Sequence, residues 1–331
     1  MCYGAGNTRP TLTDANVVLG RINASRPIGG KLARLDVEAA RAALVEHVGK
    51  PLGLSAEQAA EAVIRVANAK MAGAIRLVSV ERGFDPAAFT AVPFGGGGAL
   101  HVGALIHEVG LKAALVPRYP GITSALGCII ADIRNDHVET INTTVDALDV
   151  AAIDGRMVTR GRALREIVAK AGLAIDRIDV RYELDMHYVG QTHTVAVPLA
   201  LNAGEVTTGV TKDMILAAFE RAYQKAFSRL LPGIPMRIVN LRTTAVGVRP
   251  AFDLKALAPQ GGSRESAARG TRPVWFETRW QEATVWDRLA LPVGVVIAGP
   301  AILEQGDATT VLDPGLSARV DALGNLIVER A

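Results

Sequence analysis

Four consecutive glycines, Gly95 to Gly98, separate the apolar run Ala91-Val92-Pro93-Phe94 from a stretch of helical character over residues 99–109. Without Cβ atoms such a run takes positive φ at little cost and lets the backbone approach another group closely. A strand, a glycine turn and a helix in succession make an α/β unit. The amides that open the helix can face a phosphate or pack under a purine. Two common nucleotide loops are excluded by spacing. No Gly-Lys-Ser/Thr follows, as a Walker loop requires, and the dinucleotide fingerprint lacks both its glycine spacing and its acidic residue. On these residues alone two readings stand: a tight strand-to-helix turn needed for packing, and a nucleotide contact.

The flanking sequence continues the alternation. Ala113 to Val116 reads as a buried strand ending at Pro117, the Tyr119-Pro120-Gly121 turn follows, and Ile122 to Ala131 reads as a small-residue helix. Gly110 sits where a helix C′ residue belongs. Upstream, helix signals cover Asp36 to Val48 and Ser55 to Val80. Ser55 and Gln58 form a capping box. Ala59, Ala62, Val63, Val66, Ala67, Ala69 and Ile75 then recur at spacings of three and four, predicting one buried, Ala-rich face. To about residue 133 the pattern is that of a layered α/β domain.

Character changes after Asn135. Asp136 to Asn142 reads as a strand, Ala151 to Ala171 as an amphipathic helix, and Asp179 to Tyr188 with Thr192 to Leu199 as two strands joined at Val189-Gly190-Gln191. Met214 to Leu231 is a further helix. From Ile238 onward short β-branched runs alternate with Gly, Pro and Asp, so the second half reads as α+β ending in a small β-rich unit. Gln260 to Thr271 carries no large apolar side chain and is expected to be a mobile linker or loop. The expected domains are 1–135 and 136–331.

Composition narrows the function classes. The 331 residues suffice for two domains, and 36 basic against 33 acidic side chains leave a formal charge of +3, too little to hold nucleic acid or a membrane surface. Two cysteines, Cys2 and Cys128, make neither a disulfide framework nor a four-ligand zinc site. With no signal-peptide pattern and no long apolar run, a soluble, cytoplasmic protein acting on a small molecule is expected.

Other candidate residues carry structural alternatives. His101, on the first turn after the glycines, could contact a ligand there or serve as a capping or core histidine. Thr13, Asp14 and Asn16 form a polar cluster that reads as a helix N-cap or as the lining of a polar cleft. His187 and His193 flank a turn and, without a neighbouring carboxylate, make only a weak zinc pair; no metal ligand is assigned. Cys128, in Leu126-Gly127-Cys128-Ile129-Ile130, is expected to be buried and inert.

Three stretches together resemble the hydantoinase A/oxoprolinase family, C-terminal portion only. They are Cys2-Tyr3-Gly4 with Arg9 through Arg21; Arg82-Gly83-Phe84-Asp85-Pro86 through Gly95-Gly96-Gly97-Gly98-Ala99-Leu100-His101 to Tyr119 through Gly127; and Tyr188-Val189-Gly190-Gln191 with Gly299 through Gln305, Thr309-Thr310 and Pro314-Gly315. The resemblance implies an actin-like, sugar-kinase-like ATPase lobe followed by an α+β, β-rich C-terminal domain, with residues 1–135 as the remnant of the second lobe. It implies ATP and Mg2+ as cofactors and phosphorylation of an amide or carbonyl oxygen in a cyclic amide. Gly95, Gly96, Gly97 and Gly98 then look like the glycine motif near the adenosine.

The family's two phosphate loops do not occur in this chain. Phosphate and metal ligands are therefore expected from a chain supplying the missing N-terminal lobe, alongside a hydantoinase B-like companion subunit. The expectation is a split or truncated subunit of an ATP-dependent hydrolase with little activity alone. The alternative is a non-catalytic docking module; a zinc amidohydrolase using His187 and His193 is the third reading. The Ala-rich face of the 55–80 helix is expected to be exposed where the absent lobe would pack, favouring self-association.

Overall fold

Ser55 caps its helix as its spacing from Gln58 predicts, and Thr11 and Asp36 cap two further helices. A computed structural model describes residues 1–30, 32–201 and 209–331. Helix α1 (Leu12–Val18) opens on a capping box in which Thr11 Oγ1 accepts the Asp14 amide at 3.4 Å and the Asp14 carboxylate accepts the Thr11 amide at 2.7 Å. Helix α2 (Val37–Leu44) starts on Asp36. It passes through a π turn over Val45–Gly49 into the short α3 (Lys50–Leu52), where Pro51 has no amide to donate. In α4 (Ala56–Val78) the cap is Ser55, with the Gln58 side chain accepting the Ser55 amide at 2.9 Å.

Strand β1 is shorter than expected, spanning only Thr90–Ala91, since Pro93 cannot donate to a ladder. After the glycines a 3-10 turn over Gly98–Leu100 leads into α5 (Val102–Val109), closed by Gly110 at φ +79°. Then come β2 (Ala113–Val116) and α6 (Thr123–Ile130). The central stretch contains β3 (Ile133–Thr144), α7 (Val150–Ala169), β4 (Arg177–Tyr188), β5 (Val195–Pro198), α8 (Lys212–Phe227) and β6 (Met236–Val248). The tail contains α9 (Arg264–Ala267), β7 (Ala268–Phe276), β8 (Arg279–Asp287), β9 (Val296–Ala298), β10 (Ala301–Glu304), β11 (Thr309–Leu312), β12 (Leu316–Val320) and β13 (Leu326–Arg330).

The segment Gln260 to Thr271 is thus not a plain linker. Ser263 caps α9, and from Ala268 the chain pairs with β8, Thr271 facing Thr284. Cross-strand hydrogen bonds supply there what apolar side chains do not.

Two compact units result. Residues Met1–Cys128 and Asp253–Ala331 form the first, and Ile129–Phe252 form the second. Strand β13 pairs antiparallel with β2, Val328 opposite Ala114, and returns the tail to the first α/β unit. The first unit holds two sheets, ordered β1-β2-β13-β12-β9 and β11-β10-β8-β7. Ala15 and Val18 of α1, Leu19 at its end, and Ala60 and Ile64 of α4 bury against Val274, Phe276, Ile302 and Val311. Val102 and Ile106 of α5 fill a second core with Leu303, Leu312, Ala318 and Val328.

In the second unit the sheet order is β3-β6-β4-β5. Its core joins Met157 and Leu164 of α7 and Phe219 and Tyr223 of α8 to Leu184, Met186 and Ile238. Along β3, partly buried and exposed side chains alternate, the signature of an antiparallel sheet covered on one face.

The Ala-rich face of α4 is covered in part: Ala59, Ala60, Ile64 and Ala72 are buried, while Val66, in mid-helix, and Leu77 and Val78, at its end, are exposed. One expectation is corrected. Cys128 is exposed and Cys2 is the buried thiol, since α6 buries none of its residues. No helix among the described residues is long and apolar enough to cross a membrane.

Asp14 ties the N-terminal segment to α1. Its carboxylate accepts the amides of Cys2 and Thr11, each at 2.7 Å, and the Thr11 hydroxyl at 2.8 Å. Burial pushes its pKa up, but these donors outweigh burial and hold it at about 2. A carboxylate depressed in the folded state stabilises fully above its unfolded value near 4 and loses that contribution as the pH falls to about 2. Asp14→Asn is expected to cost about 2 kcal/mol at pH 7 and progressively less between pH 4 and pH 2. Urea unfolding of both proteins across that range checks it.

Candidate functional site

The glycine run stands where β1 gives way to α5, and it is held from the side rather than by its own sequence. Gly95 adopts φ +80° and its amide donates to the Pro120 carbonyl at 2.7 Å. Nothing lies within 4 Å of where a Cβ of Gly95 or Gly97 would stand, so the space beside the loop is open. A Cβ at Gly96 would come 3.6 Å from the Asp307 carbonyl, and one at Gly98 3.4 Å from the Pro93 backbone. One flank of the loop is closely packed and the other is free to receive a flat group.

The support comes from the turn between β10 and β11. Asp307 Oδ2 accepts the Gly121 amide at 2.9 Å, and Gln305 Nε2 donates to Asp307 Oδ1 at 2.5 Å and to the Arg118 carbonyl at 3.2 Å. The Gln305 amide closes the turn on the Ala308 carbonyl at 3.1 Å. A Cβ at Gly121 would sit 2.5 Å from the Asp307 carbonyl, so only glycine lets the two turns meet. Thr123 Oγ1 donates to the Tyr119 carbonyl at 2.9 Å and fixes the start of α6 on the same turn.

Behind this clamp lie two arginines. The Arg118 amide donates to Asn325 Oδ1 at 3.0 Å, and its guanidinium stands 5.5 Å from the centre of the Tyr119 ring. Arg288 is fully buried and donates from Nη2 to the Gly324 carbonyl at 2.6 Å. Burial, and then the Arg118 charge, bring its pKa down to about 10, opposed by Asp321 and Asp307. Asp307 thus carries negative charge into a locally positive region, which supports its acceptor role.

The polar residues singled out in the sequence do not all converge here. His101 is buried, its Nδ1 2.7 Å from Asn68 Oδ1 on α4, and burial followed by the Arg21 charge lowers its pKa. It is placed as a core histidine at the head of α5. Asp14 is the capping acceptor already described, and Asn16 Nδ2 donates back to the Leu12 carbonyl at 2.9 Å. Thr13 is half-buried on α1. Among the described residues no hydrogen bond joins Thr13, Asp14 or Asn16 to the glycine run. His187 is partly buried on β4 and His193 exposed in the connection to β5. No group of three or more His, Cys, Asp or Glu among the described residues is arranged to hold a metal ion.

Gly121 and Gln305 lie in the stretches that carry the resemblance, but nothing in the sequence pairs them with Asp307, which lies 186 positions from Gly121. Gly121→Ala is expected to force the turns apart and destabilise the first unit by about 1–3 kcal/mol. Asp307→Ala, which leaves the Gly121 amide without its acceptor, is expected to cost a similar amount. Thermal and denaturant unfolding check both.

Residues 1–137 match the hydantoinase/oxoprolinase model and residues 159–327 the hydantoinase/oxoprolinase C-terminal domain model. The chain is 30% identical over 326 residues to caprolactamase subunit alpha of Pseudomonas jessenii, covering 97% of this chain and 46% of that protein. It is 30% identical to the acetophenone carboxylase gamma subunit of Aromatoleum aromaticum, covering 99% and 46%. The crystal structure of ATP-dependent caprolactamase from Pseudomonas jessenii superposes with a TM-score of 0.72 at 29% identity, over 100% of this chain and 48% of that one. The chain spans about half the length of these relatives. With both models matched in order, the chain belongs to the hydantoinase/oxoprolinase family.

Proposed function

We propose that this chain is the C-terminal part, or a split subunit, of an ATP-dependent cyclic-amide hydrolase, working with a chain that supplies the N-terminal lobe of an actin-like ATPase and with a hydantoinase B-like companion subunit. The observation that carries the reading is the glycine loop, packed on one flank by Asp307 and Pro120 and open on the other. The names of the relatives, an ATP-dependent caprolactamase among them, supply the chemistry.

The described residues fit the nucleotide's base and sugar better than its phosphates. The open flank at Gly95 and Gly97 admits a planar group against the backbone, while no carboxylate cluster suited to Mg2+ is present among the described residues. ATP, when bound, supplies a phosphoryl group that turns an amide or carbonyl oxygen into a leaving group. The part assigned to this chain is positioning: Gly95 to Gly98 form one wall, and Gln305 and Asp307 hold the Tyr119–Gly121 turn against it. Phosphate and metal ligands come from the partner.

Calorimetric titration of the isolated chain with ATP and Mg2+ is expected to show no tight binding, and steady-state assays no turnover. Tight binding with steady hydrolysis by the chain alone would contradict the split-subunit reading. In the completed assembly, Gly97→Val is expected to raise the nucleotide KM roughly ten-fold, worth about 1.4 kcal/mol, with an unchanged unfolding midpoint. A second reading, a docking module without ATPase activity, is favoured by the exposed apolar helix α6; a completed assembly that gives no nucleotide heat would select it.

A further inference from the structure

Arg118 and Arg288 hold positive charge that their surroundings leave only partly answered. Arg288 is fully buried, yet its Nε and Nη1 have no hydrogen-bond partner, and the Gly324 carbonyl accepts from Nη2 alone. Nη1 of Arg118 is also buried and unpartnered, while its Nε donates to a neutral group, the Tyr119 hydroxyl, at 3.3 Å. Gly324 stands against both: its carbonyl receives Arg288, and a Cβ on it would come 2.5 Å from Arg118 Nη1. Neither arginine forms an ion pair among the described residues. The acids whose charge reaches Arg288 are Asp321 and Asp307, and both are engaged elsewhere. Asp321 accepts the amides of Leu323 at 2.9 Å and Asn325 at 2.8 Å, and the Asn325 side chain at 2.9 Å. Asp307 holds Gly121 and Gln305. Buried charge that is neither paired nor fully hydrogen-bonded is costly.

Arg118 also lines an apolar pocket of about 230 Å³, walled by Leu115, Leu126, Leu254, Leu257 and Leu323. Its other polar side chains, Tyr119, Thr123 and Asn325, are already engaged. Asn325 accepts the Arg118 amide and donates to Asp321, the Thr123 hydroxyl donates to the Tyr119 carbonyl, and the Tyr119 hydroxyl accepts from Arg118. The group with donors left over is therefore a cation in an apolar wall. All the lining residues belong to the first unit, and none to the glycine loop.

We infer that this pocket binds a small carboxylic acid anion with an apolar tail, its oxygens on the Arg118 guanidinium and its tail among the leucines. A carboxylate matches the planar fork of a guanidinium, and the charge of Arg288 adds to the attraction. An inorganic anion would leave the leucines without a partner, and a neutral ligand would leave the arginine without one. Sites for drug-sized ligands start at roughly 300 Å³, so a nucleotide is too large. At about 30 Å³ for each water-sized group, the space holds roughly seven heavy atoms, the size of pentanoate.

Calorimetric titration of the full chain with pentanoate, 1-pentanol and acetate, at constant ionic strength, tests this. Pentanoate is expected to bind at one site per chain, about ten-fold or more tightly than acetate, because each methylene taken from water strengthens binding up to about four-fold. It is expected to exceed 1-pentanol, which keeps the tail and lacks the charge, by about ten-fold as well. Arg118→Gln is expected to remove the advantage over 1-pentanol. Leu254→Asp, at a side chain 43% exposed, places a carboxylate of the chain itself in the pocket and is expected to weaken pentanoate about ten-fold with an unchanged unfolding midpoint, so the test stands even where the arginine variant fails to fold. Equal affinity for pentanoate and 1-pentanol, or for pentanoate and acetate, would overturn the inference. So would an absence of pentanoate binding, or binding that both variants leave unchanged. Each of these results leaves the split-subunit reading standing.

Discussion

The antiparallel pairing of β13 with β2 is the contact on which the first unit depends. It sets Leu326, Ile327 and Val328 against Val116, Leu115 and Ala114, across more than two hundred residues of intervening chain. Closing so long a loop costs entropy, but the cost grows only logarithmically with length. It is offset by a core in which α5, β2, β12 and β13 bury Val102, Ile106, Val116, Val320 and Val328. The same closure brings the β10–β11 turn alongside the Tyr119–Gly121 turn. Without the returning tail there is no Asp307 to receive the Gly121 amide, and the glycine loop has no wall behind it.

Much of this architecture is legible in the sequence because its signals are local. The capping box at Ser55, the helix stop at Gly110, and the strand at Ala113–Val116 are written in neighbouring residues. Where the sequence misleads, a distant partner decides. Residues 268–271 carry no apolar pattern, yet form a strand because β8 offers its edge. Cys128 lies among apolar neighbours, which suggests burial; α6 nevertheless fully buries none of its residues. Local hydrophobicity there reflects a surface rather than a core.

The candidate site divides the same way. Gly95 to Gly98 stand out at once, and His101 beside them invites a ligand role, but Asn68 satisfies its ring from a helix 33 residues away. Asp307 carries the geometry without a mark of its own in the sequence, and the role of Gln305 shows only after the tail has folded back.

The central claim is that the glycine loop lines a nucleotide site completed by a second polypeptide. Photolabelling the completed assembly with an azidoadenosine nucleotide, followed by peptide mapping, tests it most directly. The account predicts label within residues 93–101 or 118–123 of this chain, lost on competition with ATP. Label confined to the partner or to the second unit, with these peptides unmodified, would contradict it.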